Sequence, residues 1–340
     1  MERKLYLQYF SVISSFAVVI LHLNGCFWDF SYERYWVTAN FIESVMYFAV
    51  PVFFMMSGIT LIDYRKKYST KLFFRKRIVK TVIPFLVWSL IGLLFLTVFK
   101  EKNIFEMTIN EIISSILDIK IIEVFWFFIP LFATYLCIPV LGAVTENSKK
   151  QIYSYIIVCA FIVNSLLPLL GQLIGITFRL RFPIGADYII YLLIGYLIDQ
   201  NEIDKKTRKS IYVFGILGFT LHFLGTWYLS YQAGSIVSDF KGYTNVPCIL
   251  YATAVFVFGK YFFRNKKVDR IFLKLTTPFI KQTFGIYLIH WFVKYIWTYS
   301  NIFSVTSISY RILGSIFVFF VSAGLVHIMQ KIPVIKRTVP

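Results

Sequence analysis

Ten long apolar segments are the feature that most constrains how this chain folds. A helix of about 20 apolar residues crosses the hydrocarbon core of a bilayer. Charged residues make up 15% of the chain, whereas soluble domains contain about 25%. The sequence therefore excludes a soluble globular protein and predicts an all-α polytopic transmembrane bundle of about ten spans. The segments lie at residues 5–27, 38–62, 81–99, 124–144, 151–170, 185–199, 210–229, 244–262, 283–299 and 309–330.

Segment length and loop length refine this prediction. Residues 185–199 are few for a full crossing, so we expect this segment to be tilted or partly re-entrant. The first segment is too long for a removed signal peptide and is expected to remain as an anchor. Because no loop is large enough for a further domain, we expect a single transmembrane domain over residues 1–340 with no separate soluble domain. Within the longest loop, 100–123, the pattern predicts a short amphipathic helix.

The distribution of charge predicts how the helices are oriented. Lysine and arginine number 35 against 17 acidic residues, which gives a net charge of +18. If Met1 is cytoplasmic, most of the basic residues fall in cytoplasmic loops, as the positive-inside rule requires. Both termini are therefore predicted to be cytoplasmic, in a multi-pass protein of a cell membrane, for which we expect a bacterial plasma membrane. The basic excess then reflects topology and contact with membrane lipids, and we expect no nucleic acid partner.

Several catalytic motifs do not occur in the sequence. It contains no Walker loop, no G-x-G-x-x-G, no G-x-S-x-G and no H-E-x-x-H. These motifs are typical of primary pumps, dinucleotide enzymes, serine hydrolases and zinc proteases. The four cysteines lack the spacing of zinc ligands, so we interpret them as packing residues and predict no metal site. They are Cys26, Cys137, Cys159 and Cys248.

Two of the apolar segments carry polar side chains along one helical face. Unpaired polar groups are costly in hydrocarbon, so such a face is expected to line a polar cavity. Helical spacing places these residues on a common side in each case. They are Gln8, Ser11, Ser15 and His22 in the first segment, and Thr283, Tyr287, His290 and Lys294 in the ninth.

His22 and Glu43 are the first candidates for chemistry. Each lies near the outer end of its segment, and a short loop makes these two segments neighbours, so the side chains can meet. A carboxylate bonded to one ring nitrogen of His22 fixes its tautomer and leaves the other nitrogen free as a base. An equally weighted interpretation is that the pair only holds the two helices together.

Four further residues are candidates for the site, and each has a structural alternative. Asp187 and Lys294 are candidate contacts of an external substrate, although structural ion pairing explains them as well. Trp126 and Tyr287 can shape a tunnel or stack on a sugar ring, with packing as the alternative.

A basic segment precedes the third apolar segment. Residues 71–80 contain Arg75, Arg77 and Lys80, and their simplest interpretation is contact with anionic lipid headgroups. The alternative is a phosphate site for a nucleotide-like ligand, with the two guanidinium groups as bidentate donors.

Five pieces of the sequence resemble, in order, those of the membrane-bound acyltransferase 3 family. The similarity extends over nearly the whole chain, and the succession of pieces is more specific than any one of them. The pieces are Val-Ile-Leu-His at 19–22, Val-Pro-Val-Phe-Phe-Met-Met-Ser-Gly at 50–58, Phe-Arg-Lys-Arg-Ile-Val-Lys-Thr-Val-Ile-Pro at 74–84, Phe-Trp-Phe-Phe-Ile-Pro-Leu at 125–131 and Thr-Phe-Gly-Ile-Tyr-Leu-Ile-His at 283–290.

The resemblance implies transfer of an acyl group, usually acetyl, from cytoplasmic acetyl-CoA to a hydroxyl of an extracytoplasmic envelope glycan. It implies a catalytic role for the residue at the position of His22 and donor binding by Arg75, Arg77 and Lys80. We further expect Tyr287 and His290 to contact the donor, and Trp126, Asp187 and Lys294 the acceptor. Many relatives have arginine and aspartate where this chain has Ser11 and Gln8, so another basic residue must meet the donor, or the donor differs.

The resulting hypothesis is that His22, oriented by Glu43, takes the proton of the attacking hydroxyl. A covalent acyl-histidine intermediate stays open as a variant of this mechanism. A transporter or flippase of a lipid-linked glycan is the main rival, although paired, interrupted half-helices are missing. A sensory or anchoring subunit without catalysis is the third possibility, but it leaves the matched polar faces unexplained.

Overall fold

The computed structural model describes residues 5–340, and over this range the chain is helical with no β-strand. The all-α prediction is therefore confirmed. Short π-helical turns join α4 to α5, α8 to α9 and α11 to α12, so each of these pairs forms one longer helical stretch. The α-helices are α1 Leu5–Leu23, α2 Arg34–Met46, α3 Ala49–Leu61, α4 Thr70–Arg77, α5 Ile83–Val98, α6 Ile109–Leu117, α7 Phe128–Leu141, α8 Glu146–Ala160, α9 Leu167–Ile174, α10 Ile189–Gln200, α11 Lys205–Thr220, α12 Thr226–Ala233, α13 Val246–Phe262, α14 Lys266–Thr276, α15 Thr283–Tyr299 and α16 Ile308–Met329.

Every predicted apolar segment contains a helix, but the helices differ in their capacity to cross a membrane. Within residues 5–340, seven helical stretches are long and apolar enough, and an eighth results if α13 and α14, bent by 108°, count as one span. α10 has 12 residues and α15 has 17, so the count of ten spans stays a prediction. The seven stretches are Leu5–Leu23, Arg34–Lys66, Thr70–Val98, Glu123–Leu141, Glu146–Ile174, Lys205–Ala233 and Ile308–Met329.

The short amphipathic helix predicted in the loop 100–123 is confirmed as α6. The hydroxyl of Thr108 accepts from the backbone N–H of Glu111, whose carboxylate accepts from the backbone N–H of Thr108. This reciprocal capping box fixes where the helix begins. Ile109 and Ile113 on α6 are exposed, as expected of an apolar face that rests on a membrane surface.

α1 lies at the centre of the bundle. It packs against α3, α15 and α16, and half of its apolar stretch is buried. Large apolar side chains on the peripheral helices are instead exposed, such as Leu136 on α7 and Ile216 on α11. A broad exposed apolar surface of this kind is typical of contact with lipid. The polar side chains of α1 are therefore sheltered from lipid and can line an internal site.

The end of the bundle at which α1 begins is called the basic end below, because the predicted orientation places most of the lysine and arginine residues in its loops. The hydroxyl of Tyr6 donates to Asp199 at 2.7 Å, and that of Tyr9 donates to Asp269 at 2.6 Å. These contacts bring the last turn of α10 and the helix α14 to the beginning of α1. The predicted orientation makes this end cytoplasmic.

Glycine allows α3 and α10 to pack with their backbones in contact. A Cβ atom on Gly195 would lie 2.4 Å from the backbone oxygen of Met55, and one on Gly58 would lie 2.0 Å from that of Leu192. No side chain fits at such distances, because the obstructing atoms belong to the backbone. Close approach through small residues is a common way for helices to associate in membranes.

Replacing Gly195 with leucine is expected to lower the free energy of unfolding by about 1–3 kcal/mol, since α3 and α10 must separate to admit the side chain. Thermal unfolding of the detergent-solubilised protein measures the effect. The matched control is Gly324→Leu on α16, where a Cβ meets nothing within 4 Å, and its stability should be unchanged or slightly higher. Equal stability of the two variants would contradict the packing argument.

Candidate functional site

The polar faces predicted on α1 and α15 face each other in the structure. The hydroxyl of Ser11 donates to Oγ1 of Thr283 at 3.0 Å, and that of Ser15 lies 3.4 Å from the backbone oxygen of Thr283. Further from the basic end, the rings of His22 and His290 have centroids 5.2 Å apart. The two helices thus bring together hydroxyls at one level and imidazoles at another.

Two cavities adjoin at His22. The first, called the Ser11 cavity, has a volume of about 240 Å³ and extends towards the basic end. The second, called the Glu43 cavity, has a volume of about 300 Å³ and lies on the opposite side of His22. Both are lined by Val18, His22, Val50 and Trp126; the Ser11 cavity also by Ser11, Phe53, Val124, Phe127, Thr283, Phe284 and Tyr287, and the Glu43 cavity also by Leu21, Trp28, Glu43, Tyr47 and Tyr243.

This arrangement places the half-buried His22 between the Ser11 cavity and the Glu43 cavity. From Ser11 to His22, α1 rises by about 16 Å at about 1.5 Å per residue. The lining of the Ser11 cavity is mostly apolar, with the hydroxyls of Ser11 and Thr283 near one end. The Ser11 cavity can therefore hold a long, thin, largely uncharged group beside His22, and the Glu43 cavity can hold a different molecule there.

Glu43 does not form the predicted contact with His22. Its Oε1 accepts from Lys241 at 3.0 Å, and its Oε2 accepts from Asn24 at 3.3 Å. Among the hydrogen bonds of residues 5–340, none joins it to His22. The physical reason is burial, because a buried carboxylate needs an opposite charge more than it needs a neutral imidazole. Glu43 nevertheless lines the Glu43 cavity.

Lys241 was not anticipated from the sequence. It belongs to the loop between α12 and α13, is 4% exposed, and its ammonium lies 4.4 Å from the ring centroid of Phe27 and 4.0 Å from that of Tyr47. Cation–π contacts and the Glu43 carboxylate together replace its hydration. A lysine away from the basic end departs from the orientation rule, and that departure was the available signal.

Arg311 was also missed, although it stands inside a predicted span. The guanidinium group, 2% exposed, donates to Oγ1 of Thr38 at 2.9 Å and lies 3.5 Å from Oδ1 of Asn24. Because Asn24 also donates to Glu43, a chain of polar groups joins α16 to α1 and α2. A charged residue inside an apolar segment was the signal that could have identified it.

Trp126 and Tyr287, predicted to shape a tunnel, both line the Ser11 cavity. Trp126 also lines the Glu43 cavity and stacks on Tyr243 with ring centroids 5.4 Å apart. The hydroxyl of Tyr287 donates to the backbone oxygen of Val124 at 2.6 Å. Both side chains are therefore fixed, and Trp126 stands where the two cavities adjoin.

Neither Asp187 nor Lys294 lines a cavity at His22. Asp187 is exposed in the loop before α10, with φ at +52°, and lines neither cavity. Lys294 lies 3.4 Å from Glu123, in a separate cleft of about 520 Å³. Trp291 donates to the other oxygen of Glu123 at 2.6 Å.

The basic residues before the third segment lie at the basic end but outside both cavities. Arg75 and Lys80 are exposed. Arg77 is half-buried near the rings of Phe73 and Tyr135, and its Nε has no hydrogen-bond partner among residues 5–340. The exposed Arg75 and Lys80 can meet an anion at the surface of this end.

Arg264, also at the basic end, is not available in the same way. Its two terminal nitrogens donate to the carboxylate of Glu202 at 2.9 and 2.5 Å. These hydrogen bonds lower the pKa of Glu202 to about 2, so the carboxylate stays ionised and the pair stays neutral overall. The unpaired basic charge at this end therefore lies elsewhere, as on Arg75 and Lys80.

Comparison with known proteins gives one finding. A family model described as an acyltransferase domain, of the acyltransferase 3 family, matches residues 4–327. No curated protein and no solved structure matches the chain.

Proposed function

The chain belongs to the acyltransferase 3 family and is a membrane acyltransferase, and on this premise we propose that it transfers an acyl group from acyl-CoA, most simply acetyl-CoA, to a hydroxyl of an extracytoplasmic envelope glycan. The donor enters at the basic end, which we take as cytoplasmic. The acceptor enters from the opposite end. His22 is the general base at the point where the two meet.

The observation that carries this proposal is the pair of cavities that adjoin at His22. A donor and an acceptor in different compartments can react only if each reaches the same group from its own side. A single cavity would favour a binding protein. Two cavities with no base between them would favour a carrier. An imidazole at the junction supports catalysis there.

The basic end supports binding of the donor. The exposed Arg75 and Lys80 and the half-buried Arg77 can hold the phosphates of coenzyme A, with guanidinium forks suited to phosphate oxygens. The pantetheine arm then occupies the Ser11 cavity, whose two hydroxyls suit its amide groups. No arginine is needed within the cavity, because the charged part of the donor stays at the surface. This accounts for Ser11 where many relatives have arginine.

The Glu43 cavity supports binding of the acceptor. Trp28, Trp126 and Tyr243 supply aromatic surface, and Glu43 supplies hydrogen-bond acceptors. Aromatic rings combined with a carboxylate suit a sugar, which has apolar C–H faces and polar hydroxyl edges. Lys241 and Asn24 hold the carboxylate in place. In this arrangement Glu43 orients the acceptor rather than the ring of His22.

The reaction at His22 is a balanced exchange. The ring nitrogen that faces the cavities takes the proton of the acceptor hydroxyl as its oxygen attacks the thioester carbonyl. The new C–O bond forms, the C–S bond breaks, and the imidazolium returns the proton to the departing thiolate. The products are an ester and free coenzyme A.

Reconstitution into liposomes tests this function. Labelled acetyl-CoA is supplied at the basic end and envelope glycan at the other, and both glycan label and free coenzyme A thiol are measured. Transfer across the bilayer, with one thiol released per ester formed, is the expected result. Movement of glycan without thiol release would establish a carrier instead. Transfer that requires donor and acceptor on the same side would contradict the proposed path.

A further inference from the structure

Of the two ring nitrogens of His290, Nδ1 has hydrogen-bond partners among residues 5–340 and Nε2 has none. Nδ1 lies 2.7 Å from the backbone oxygen of Tyr287 and 3.2 Å from that of Ile286. A carbonyl oxygen only accepts hydrogen bonds, so Nδ1 carries the hydrogen. A neutral imidazole has a single N–H group, which leaves Nε2 as a bare acceptor.

This acceptor is buried and unpaired. The side chain of His290 is 0% exposed, and its Nε2 has no hydrogen-bond partner among residues 5–340. Buried polar atoms are nearly always paired, so an exception needs an explanation. The neighbouring Tyr287 cannot supply a donor, because its hydroxyl already donates to the backbone oxygen of Val124.

His22 is the group placed to donate. Its ring centroid is 5.2 Å from that of His290, with 31° between the ring planes. At this separation, a nitrogen of the His22 ring can lie within hydrogen-bonding distance of Nε2 when the two nitrogens face each other. Glu43 does not compete for that nitrogen, since its carboxylate accepts from Lys241 and Asn24 and no hydrogen bond among residues 5–340 joins it to His22.

We infer that His290 is the positioning residue of His22: its Nε2 accepts the N–H of His22 during acyl transfer and so leaves the opposite nitrogen of His22 bare towards the cavities. This inference rests on the proposed function. It replaces both the expected orientation by Glu43 and the expected contact of His290 with the donor. His290 keeps its own hydrogen on Nδ1 throughout, so the only proton that moves is the one exchanged through His22.

The contact is expected to matter more in the transition state than before it. His22 becomes positively charged as it takes the hydroxyl proton, and a hydrogen bond from a charged donor is stronger than one from a neutral donor. Interactions that strengthen in this way raise the rate of the chemical step rather than the affinity for substrate. Loss of Nε2 should therefore lower kcat and leave KM for acyl-CoA nearly unchanged.

The variants His290→Asn and His290→Gln separate the two nitrogens. The asparagine amide can replace Nδ1 but does not reach Nε2, whereas the longer glutamine amide can place an acceptor near Nε2. We expect His290→Asn to lower kcat by about 10- to 100-fold, as for loss of a charge-assisted hydrogen bond. His290→Gln should retain most of the activity.

Further outcomes decide the inference. Wild-type kcat in His290→Asn, equal losses in both variants, or failure of both to fold would overturn it, since each shows that Nε2 is not what matters. A raised KM for acyl-CoA with unchanged kcat would do the same and would favour contact with the donor. In a His22→Ala background, His290→Asn should have no additional effect. Failure of the proposed function is distinguishable, because wild-type protein would then form no ester at all.

Discussion

Replacing His22 with alanine is expected to lower acyl transfer by about 10²- to 10⁴-fold, the usual contribution of a general base. The loss should appear in kcat, because the ring acts on the hydroxyl proton and not on the bulk of either substrate. Ester formation from labelled acetyl-CoA by the purified protein measures it. The structure gives the reason for so large an effect: His22 is the one histidine that lines both the Ser11 cavity and the Glu43 cavity.

The control for this variant is His327→Ala. His327 lies near the basic end of the bundle, where its Nδ1 is 3.4 Å from Nε2 of Gln282. It lines neither cavity. It should retain wild-type transfer. Because His22 is half-buried, its removal should leave the elution volume and the thermal unfolding temperature close to those of the wild type. Full transfer by a folded His22→Ala protein would remove the imidazole from the mechanism.

The general architecture was predictable because lipid imposes a simple rule on sequence. Apolar segments of about 20 residues have few alternatives to a membrane-crossing helix, and helices occur at all ten positions. The number of spans was less accessible, since α10 is short and the 108° bend between α13 and α14 depends on how α14 packs on α1. A hydropathy profile contains no information about how α14 packs on α1.

The site was predictable to the extent that it depends on periodicity within a helix. The faces of α1 and α15 were identified from spacing, and the structure places Ser11 beside Thr283 and His22 beside His290. Partners across the fold were not accessible in this way. The spacing that suggested a pair between His22 and Glu43 contains no information about distant segments. Lys241, the residue that does pair with Glu43, lies in a loop 198 residues after it.

Replacing Lys241 with methionine is expected to lower the free energy of unfolding by about 3–5 kcal/mol, because it leaves the Glu43 carboxylate buried without a counter-charge. Methionine fills the same aromatic surroundings, so lost packing contributes little. Chemical or thermal unfolding in detergent measures the change. The control is Lys120→Met, whose partner Asp118 is about half exposed, and which should cost less than about 1 kcal/mol.

The double variant Glu43→Gln/Lys241→Met separates the stability of the fold from the chemistry. Removing both charges leaves no unpaired ion, and the glutamine can still accept from Asn24, so most of the stability lost in Lys241→Met should return. If Glu43 contacts the acceptor, the folded double variant should still have a raised KM for the glycan. Its KM for acyl-CoA should be unchanged, because only the Glu43 cavity is altered. A double variant with recovered stability and wild-type KM for both substrates would show that the pair of Glu43 and Lys241 only stabilises the fold, by joining α2 to the loop between α12 and α13.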